Sequence, residues 1–395
     1  MNVRTTPYRV LILSPSFEDK GGVASFCRLL MKNVSPETTV DHLEIGNRPE
    51  NRNPVRRLSF FVGDALRLGR RLGKKEYDLV HINPSLEILS LLRDSFYIFL
   101  ISRIHKTRSL VVFHGWNQGI AGRIAACPNL SSIFRSLYGK AGRVLALCTL
   151  YKDQLERMGL VPKQVEVITT MYEADEAYYG NTKKDPGAPI QILFMARLWR
   201  SKGVYIAADV ARLLVESGVR NFRLVIAGDG PELEGVRRYR EEIGLTEFVL
   251  IPGYLKDDDK RAVLERSDIF LYPSHYGEGC PVVILEAMGA GLSIVSTPVA
   301  AIPEIVESGR NGFLVESRKA EDFYPFVKRL MDNPALLGRI RAANKAKALE
   351  NYEARVVTRK IESIYASIIQ DLPAKAGKRA SQEDRRGNAG MNRGN

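Results

Sequence analysis

The sequence predicts an α/β chain built from two doubly wound parallel-sheet domains. Three observations carry this. Short apolar runs alternate with helix-period stretches along nearly the whole chain. The runs are almost continuously apolar, so they read as strands buried on both faces, as in parallel sheets. They also fall into two series, parted by Asn181–Pro189, whose polar residues, glycine and two prolines read as a linker.

The first series opens with Tyr8–Leu13 (YRVLIL), a loop holding Gly21-Gly22, and a helical pattern over Val23–Met31. Further strands are predicted at Tyr77–Ile82, Leu110–Phe113 and Arg143–Leu147. The second series runs Ile190–Met195, Phe222–Ala227, Val249–Pro252, Asp268–Tyr272, Ser293–Ser296 and Gly312–Val315. Helical patterns at 203–217, 231–243, 258–266 and 281–290 lie between them. The expected domains are 1–183 and 190–350. Apolar spacing through Val356, Val357, Ile361, Ile364, Tyr365 and Ile368 marks a closing helix at 351–371. The remainder, 372–395, is basic and poor in apolar residues, so disorder is expected there.

The chain has 395 residues, 45% hydrophobic and 26% charged, which excludes a disordered or fibrous class. Four cysteines without CxxC spacing argue against a zinc ribbon or a disulfide scaffold and fit a reducing cytoplasm. The N-terminus lacks the shape of a signal peptide. The longest apolar stretch, Leu86–Ile104, is cut by Arg93-Asp94 into pieces too short to span a bilayer. Net charge is +13, of which residues 1–143 carry +11. That imbalance suggests an acidic partner such as a phospholipid surface. Nucleic acid is not expected, because no interleaved aromatic platform accompanies the charge.

In a doubly wound sheet, ligands bind beyond the carboxyl ends of the strands. After the first strand, Gly21-Gly22 open a helix whose N–H groups can meet an anion. After 190–195, Arg197 and Lys202 flank a loop entering a helix, a pairing suited to a diphosphate. Gly228-Asp229-Gly230-Pro231 is explained as a turn. The most informative stretch is Tyr272–Gly291. Glu278 follows a strand directly, Pro281 starts a helix, and Glu286 interrupts an apolar helix near the sheet's carboxyl edge. A carboxylate at 286 can accept two ribose hydroxyls, while the N–H groups of Gly279 and Cys280 face the same opening. No GxGxxG follows the first strand and no GxxxxGK[ST] occurs, so dinucleotide and P-loop readings lose support.

Glu278-x7-Glu286 with Ala-Met-Gly-Ala-Gly, followed by Thr297–Val306 and Asn311–Val315, resembles the family 4 retaining glycosyltransferases of GT-B architecture. Arg197…Lys202-Gly203, Gly228–Pro231, Asp268–Ser274, Gly21-Gly22 and His114-Gly115 stand in the family's order. The resemblance covers Tyr8 to about Ile369 and is stronger in the second half. It implies two Rossmann-like domains facing each other across a cleft. It further implies transfer of a sugar from a nucleotide-sugar with retention of configuration, without a metal or other cofactor. By position, Arg197 and Lys202 would hold the diphosphate and Glu286 the ribose. Glu278 with Gly279 and Cys280 would position the sugar. Gly22 would offer N–H groups from the facing domain, and His114 would contact the sugar and steady positive charge at the anomeric carbon. The acceptor would be a saccharide or lipid-linked saccharide bound by the first domain, and the closing helix would return to that domain.

The chain departs from the family in three places. Thr169–Asp175 replaces the usual turn before the linker, Ala196 replaces a glycine, and Cys280 a commonly apolar residue. Asp257-Asp258-Asp259 formally matches a metal-binding DxD but reads as caps at a helix start, aligned with the dipole. His81 and His275 also fall near strand ends. Residues 54–75 form a basic amphipathic helix with the stripe Leu58, Phe61, Ala65, Leu68 and Leu72. The stripe suits either packing on the sheet or an anionic membrane at the cytoplasmic face. The competing reading for the whole chain is a catalytically silent nucleotide-sugar-binding or scaffolding protein.

Overall fold

The structure, a computed structural model, describes residues 7–19, 21–46, 54–104, 108–174, 187–277 and 279–370. Glu278, linker residues 181–186 and the 372–395 tail lie outside the described residues.

The first half runs β1 (Tyr8–Ser14), α1 (Gly22–Asn33), β2 (Thr38–Glu44), α2 (Pro54–Lys74), β3 (Leu79–Ile82) and α3 (Ile88–Ile104). It continues β4 (Arg108–Phe113), α4 (Gln118–Ala126), α5 (Pro128–Tyr138), β5 (Arg143–Ala146), α6 (Thr149–Arg157) and β6 (Val165–Val167). The strands pair in parallel in the order β2-β1-β3-β4-β5-β6. The second half runs β7 (Ile190–Met195), α7 (Val204–Glu216), β8 (Phe222–Ala227), α8 (Leu233–Glu242), β9 (Val249–Gly253) and α9 (Asp257–Arg266). Then come β10 (Ile269–Tyr272), α10 (Val282–Ala290), β11 (Ser293–Ser296), α11 (Ile302–Ile305), β12 (Gly312–Leu314), α12 (Ala320–Met331), α13 (Pro334–Asn351) and α14 (Ala354–Gln370). The second sheet, also parallel, has the order β12-β11-β10-β7-β8-β9.

Why the apolar runs become strands is visible in their burial. Val10–Leu13 in β1 and Ile269–Leu271 in β10 are wholly buried, as a strand covered by helices on both faces must be. The two strands that the pattern did not reveal, β2 and β6, are sheet edges. β2 reads TTVDHLE and buries only Thr38 and Leu43, so it carries no apolar run to recognise.

On α2, Leu68 and Leu72 are buried, Phe61 and Ala65 half-buried, and Leu58 is 63% exposed. The stripe therefore packs inward at its carboxyl end and emerges into solvent at its amino end. The last helix, α14, leaves the second half and packs against α1 and β4. Its Tyr365 is buried with Oη 2.6 Å from His81 Nδ1, and Glu362 accepts from Ser35 N and Oγ at 3.0 and 2.8 Å.

Candidate active site

In the second sheet the winding reverses between β7 and β10. The loops leaving these neighbours part, and a crevice opens at their carboxyl ends. The loop after β7 holds Arg197, then one 3-10 turn at Arg200–Lys202 that ends at Gly203, φ 81°. A Cβ on Gly203 would lie 2.2 Å from Pro273 O, so this loop presses on the one that follows β10. On its other side, Gly228 (φ 145°) brings the β8 loop onto it, with a would-be Cβ 1.8 Å from Ala196 O. Leu198 N donates to Asp229 O at 2.9 Å, completing the sandwich.

The two cations are held differently. Arg197 is exposed, its guanidinium 5.3 Å from the centre of the Trp199 ring. Lys202 is only 8% exposed, with Nζ 3.4 Å from Tyr272 Oη and 4.4 Å from the Tyr276 ring centre. Trp199 meets Tyr276 edge-on at 5.8 Å, so an aromatic wedge sits between the cations. Cation–π contact lowers the cost of removing an ammonium from bulk water while leaving its field available to an anion. Tyr276 had no signal in the sequence beyond its place after a strand.

Helix α10 starts after Pro281, and Gly279 and Cys280 precede it. Thr170 Oγ1 donates to Cys280 O at 2.9 Å, joining the first half to this loop. Burial pushes the Cys280 thiol up, so it stays protonated. Glu286 lies on the side of α10 facing α9, where Oε1 accepts from Lys260 Nζ at 2.8 Å. Lys260 was not anticipated. It directly follows a run of three aspartates, and nothing in the pattern sets it apart. The pairing engages one carboxylate oxygen of Glu286. Asp257–Asp259 occupy the first turn of α9, where they complement the helix dipole. Lys256 is the N-cap, and Asp257 has φ 38°. The aspartates are thus first-turn residues and not caps.

In the first sheet the reversal lies between β1 and β3. Past β1, Gly22 begins α1 with Gly21 at its N-cap and no capping side chain. First-turn N–H groups of a helix lack intrahelical acceptors, and the space around both glycines is open to 4 Å. Past β3, Asn83 donates from Nδ2 to Leu13 O at 3.1 Å. That fixes the amide, so Asn83 Oδ1 accepts from His114 Nε2 at 2.9 Å, and the neutral ring keeps its lone pair on Nδ1. Asn83 was missed, although its position just past a strand could have found it. His114 is half-buried and edge-on to Phe26 at 4.7 Å. The two halves meet here: a Cβ on Gly279 would lie 3.1 Å from His114 O. Thr149 N also donates to Glu304 Oε1 across the halves at 2.8 Å. His114, Gly22, Gly279, Cys280, Arg197 and Lys202 thus surround the carboxyl ends of the two sheets. His81 is instead a core residue bound to Tyr365. His275 is held by its backbone N–H to Ser201 O at 2.8 Å.

Burial pushes His81 and His114 each down to about 3, and in His81 the nearby His114 adds to the shift. Their ordinary value is 6.5, so below that pH the unfolded chain takes up protons that the folded chain refuses. The stability these neutral rings contribute is complete above pH 6.5 and declines as pH falls towards 3. The melting temperature should fall steadily from pH 7 to about 4.5, with a shallower limb in His81→Gln. An unchanged slope in that variant would contradict the assignment.

Residues 189–333 match the family described as Glycosyl transferases group 1. The putative colanic acid biosynthesis glycosyltransferase WcaL of Salmonella typhimurium is 29% identical over 264 residues, which are 65% of this chain and 64% of that protein. The phosphatidyl-myo-inositol mannosyltransferase of Mycobacterium leprae is 27% identical over 325 residues, 80% of each chain. Among solved structures, a glycosyltransferase from Rickettsia africae superposes with a TM-score of 0.73 at 17% identity, over 93% of this chain and 100% of that one. Anabaena HepE in complex with UDP-glucose gives 0.69 at 17% identity, over 91% and 99%. The fold is GT-B, and its second half carries the Glycosyl transferases group 1 module.

Proposed function

From a Glycosyl transferases group 1 module set in a GT-B fold, we propose that the protein transfers a sugar from a nucleotide-sugar to a saccharide or lipid-linked acceptor, in polysaccharide or glycolipid synthesis. The observation that carries the reading is the approach of Gly279 to His114 O. It sets the donor loop of one half against the sheet edge of the other.

In this reading Lys202 and Arg197 hold the diphosphate and the first turn of α1 at Gly22 meets it from across the cleft. Glu286, steadied by Lys260, takes the ribose hydroxyls. Glu278 stays in this assignment on its motif alone. The neutral His114 would offer Nδ1 as an acceptor to a sugar hydroxyl and would steady positive charge at the anomeric carbon through its backbone or ring. As the glycosidic bond to phosphate breaks, charge builds on the leaving diphosphate, and fixed cations and helix N–H groups stabilise it. The proposal includes family 4 membership, retention and independence of metals, as the sequence resemblance implies. Attack from the face that the diphosphate leaves gives retention, with the departing phosphate taking the acceptor's proton. Trapping a glycosyl-enzyme ester on a carboxylate would overturn that route. Binding of UDP-glucose by HepE supports a nucleoside diphosphate in the crevice.

Two tests apply. Nucleotide-sugars should raise the melting temperature by mass action, and a panel of bases and sugars then identifies the donor. Transfer should survive a chelator, whereas loss restored by manganese would refute metal independence. The silent-scaffold alternative predicts nucleotide binding with neither transfer nor donor hydrolysis. The basic helix at 54–74 and four free thiols fit work at the cytoplasmic face of an anionic membrane. Among the described residues no helix is long and apolar enough to cross one.

A further inference from the structure

Among the described residues, ten of the seventeen exposed large hydrophobic side chains lie on three helices of the first half: α2, α3 and α5. Phe61 of α2 meets Phe96 of α3 edge-on at 5.3 Å, and α3 and α5 share the walls of one pocket. On α3, Leu89 and Leu92 are 66% and 63% exposed, and a contiguous exposed apolar patch marks an interaction site. Between α3, α4 and α5 the surface sinks into a cavity of about 310 Å³. Ile88, Leu92, Ile124, Ile133 and Phe134 are among the residues that line it.

The charge beside this groove is mostly basic. Residues 95–143 contain seven Lys and Arg and no Asp or Glu. Arg123 stands in the groove wall, and Arg103 and Lys140 lie over the Phe99 ring at 5.5 and 5.4 Å. The acid within α3, Asp94, is wholly buried and paired with Arg93 at 2.8 Å. Glu87, just before α3, accepts from Asn117 Nδ2 at 3.1 Å. An apolar trough rimmed by cations complements a hydrocarbon chain under a negative head. The chain's own tail, 371–395, is too polar in sequence to fill it. The groove also starts in the right place. Ile88 and Ile120 follow shortly after Asn83 and His114, and Leu86 N donates to Gly115 O at 2.8 Å to hold the two loops together.

We propose that this groove holds the hydrocarbon chain of a lipid phosphate, so that the acceptor's lipid lies along α3 and its head group reaches the His114 edge. The proposal rests on the transferase reading for the acceptor's role but not for the binding itself, so the two fail separately. The test compares the wild-type chain with Leu92→Asp/Ile133→Asp, whose positions are exposed enough to keep the fold. The variant's melting temperature and its nucleotide response report that it is folded. The probes are phosphatidylglycerol vesicles in flotation, and dihexanoyl phosphatidic acid against glycerol 3-phosphate in calorimetry. Wild type should float with the vesicles and bind the short lipid but not glycerol 3-phosphate, and the variant should bind at least tenfold more weakly. Equal binding by both proteins, or equal binding of glycerol 3-phosphate, overturns the groove. So does a dimer that the variant dissolves without any lipid response, since a second copy would then cover the face. Lipid binding without any nucleotide response would leave the groove standing and defeat the donor reading.

Discussion

Lys202→Ala is expected to lower kcat/KM for transfer by about two to three orders of magnitude while leaving the fold intact. Removing one preorganised charge that faces a developing anion typically costs about 3–4 kcal/mol at the barrier. Lys202 should lie at the upper end because its ammonium is withdrawn from water between Tyr272 and Tyr276, and a low local dielectric strengthens its field. Arg197 is exposed beside Trp199, so Arg197→Ala should cost less, and the double variant less than the sum if both grip one diphosphate. The measurement is steady-state transfer together with nucleoside diphosphate affinity. An undiminished kcat/KM in the double variant would remove the diphosphate from this loop.

Gly228→Ala is expected to destabilise the protein by about 3 kcal/mol or more, which for a domain of this size lowers its melting temperature by roughly 6–12 °C. Two effects combine. The backbone at φ 145° disfavours any side chain, and the added methyl would fall 1.8 Å from Ala196 O, a backbone atom with nowhere to go. Gly218→Ala separates them, because Gly218 also has a positive φ of 86° but nothing within 4 Å. It should cost only about 1–2 kcal/mol. The excess in Gly228→Ala measures how tightly the β8 loop presses on the Arg197–Lys202 loop. Nucleotide affinity should fall with it, and equal melting temperatures for the two variants would refute the close approach.

The strands with buried runs were legible because burial on both faces writes itself into composition. β1, β7 and β10 are examples. Edge strand β2 was not, because five of its seven residues are partly or fully exposed. Arg197 and Lys202 could be found from their place after β7, since the reversal of winding in a doubly wound sheet points to particular loops. Lys260 could not, because its partner Glu286 is twenty-six positions away and only the packing of α9 on α10 brings them together. Asn83 lies between: its position was readable, but its role as the orienting partner of His114 needed the amide's direction, which Leu13 sets.

Helix α14 has a consequence for anyone dividing the gene. Cutting at the linker would strand the helix with the wrong fragment, leaving His81 without Tyr365 and Ser35 without Glu362. A self-standing N-terminal piece would need residues 354–370 stitched back on, for instance by circular permutation. In topological terms the polypeptide visits the first lobe twice, at its beginning and at its end, and the second lobe is an insertion between those visits.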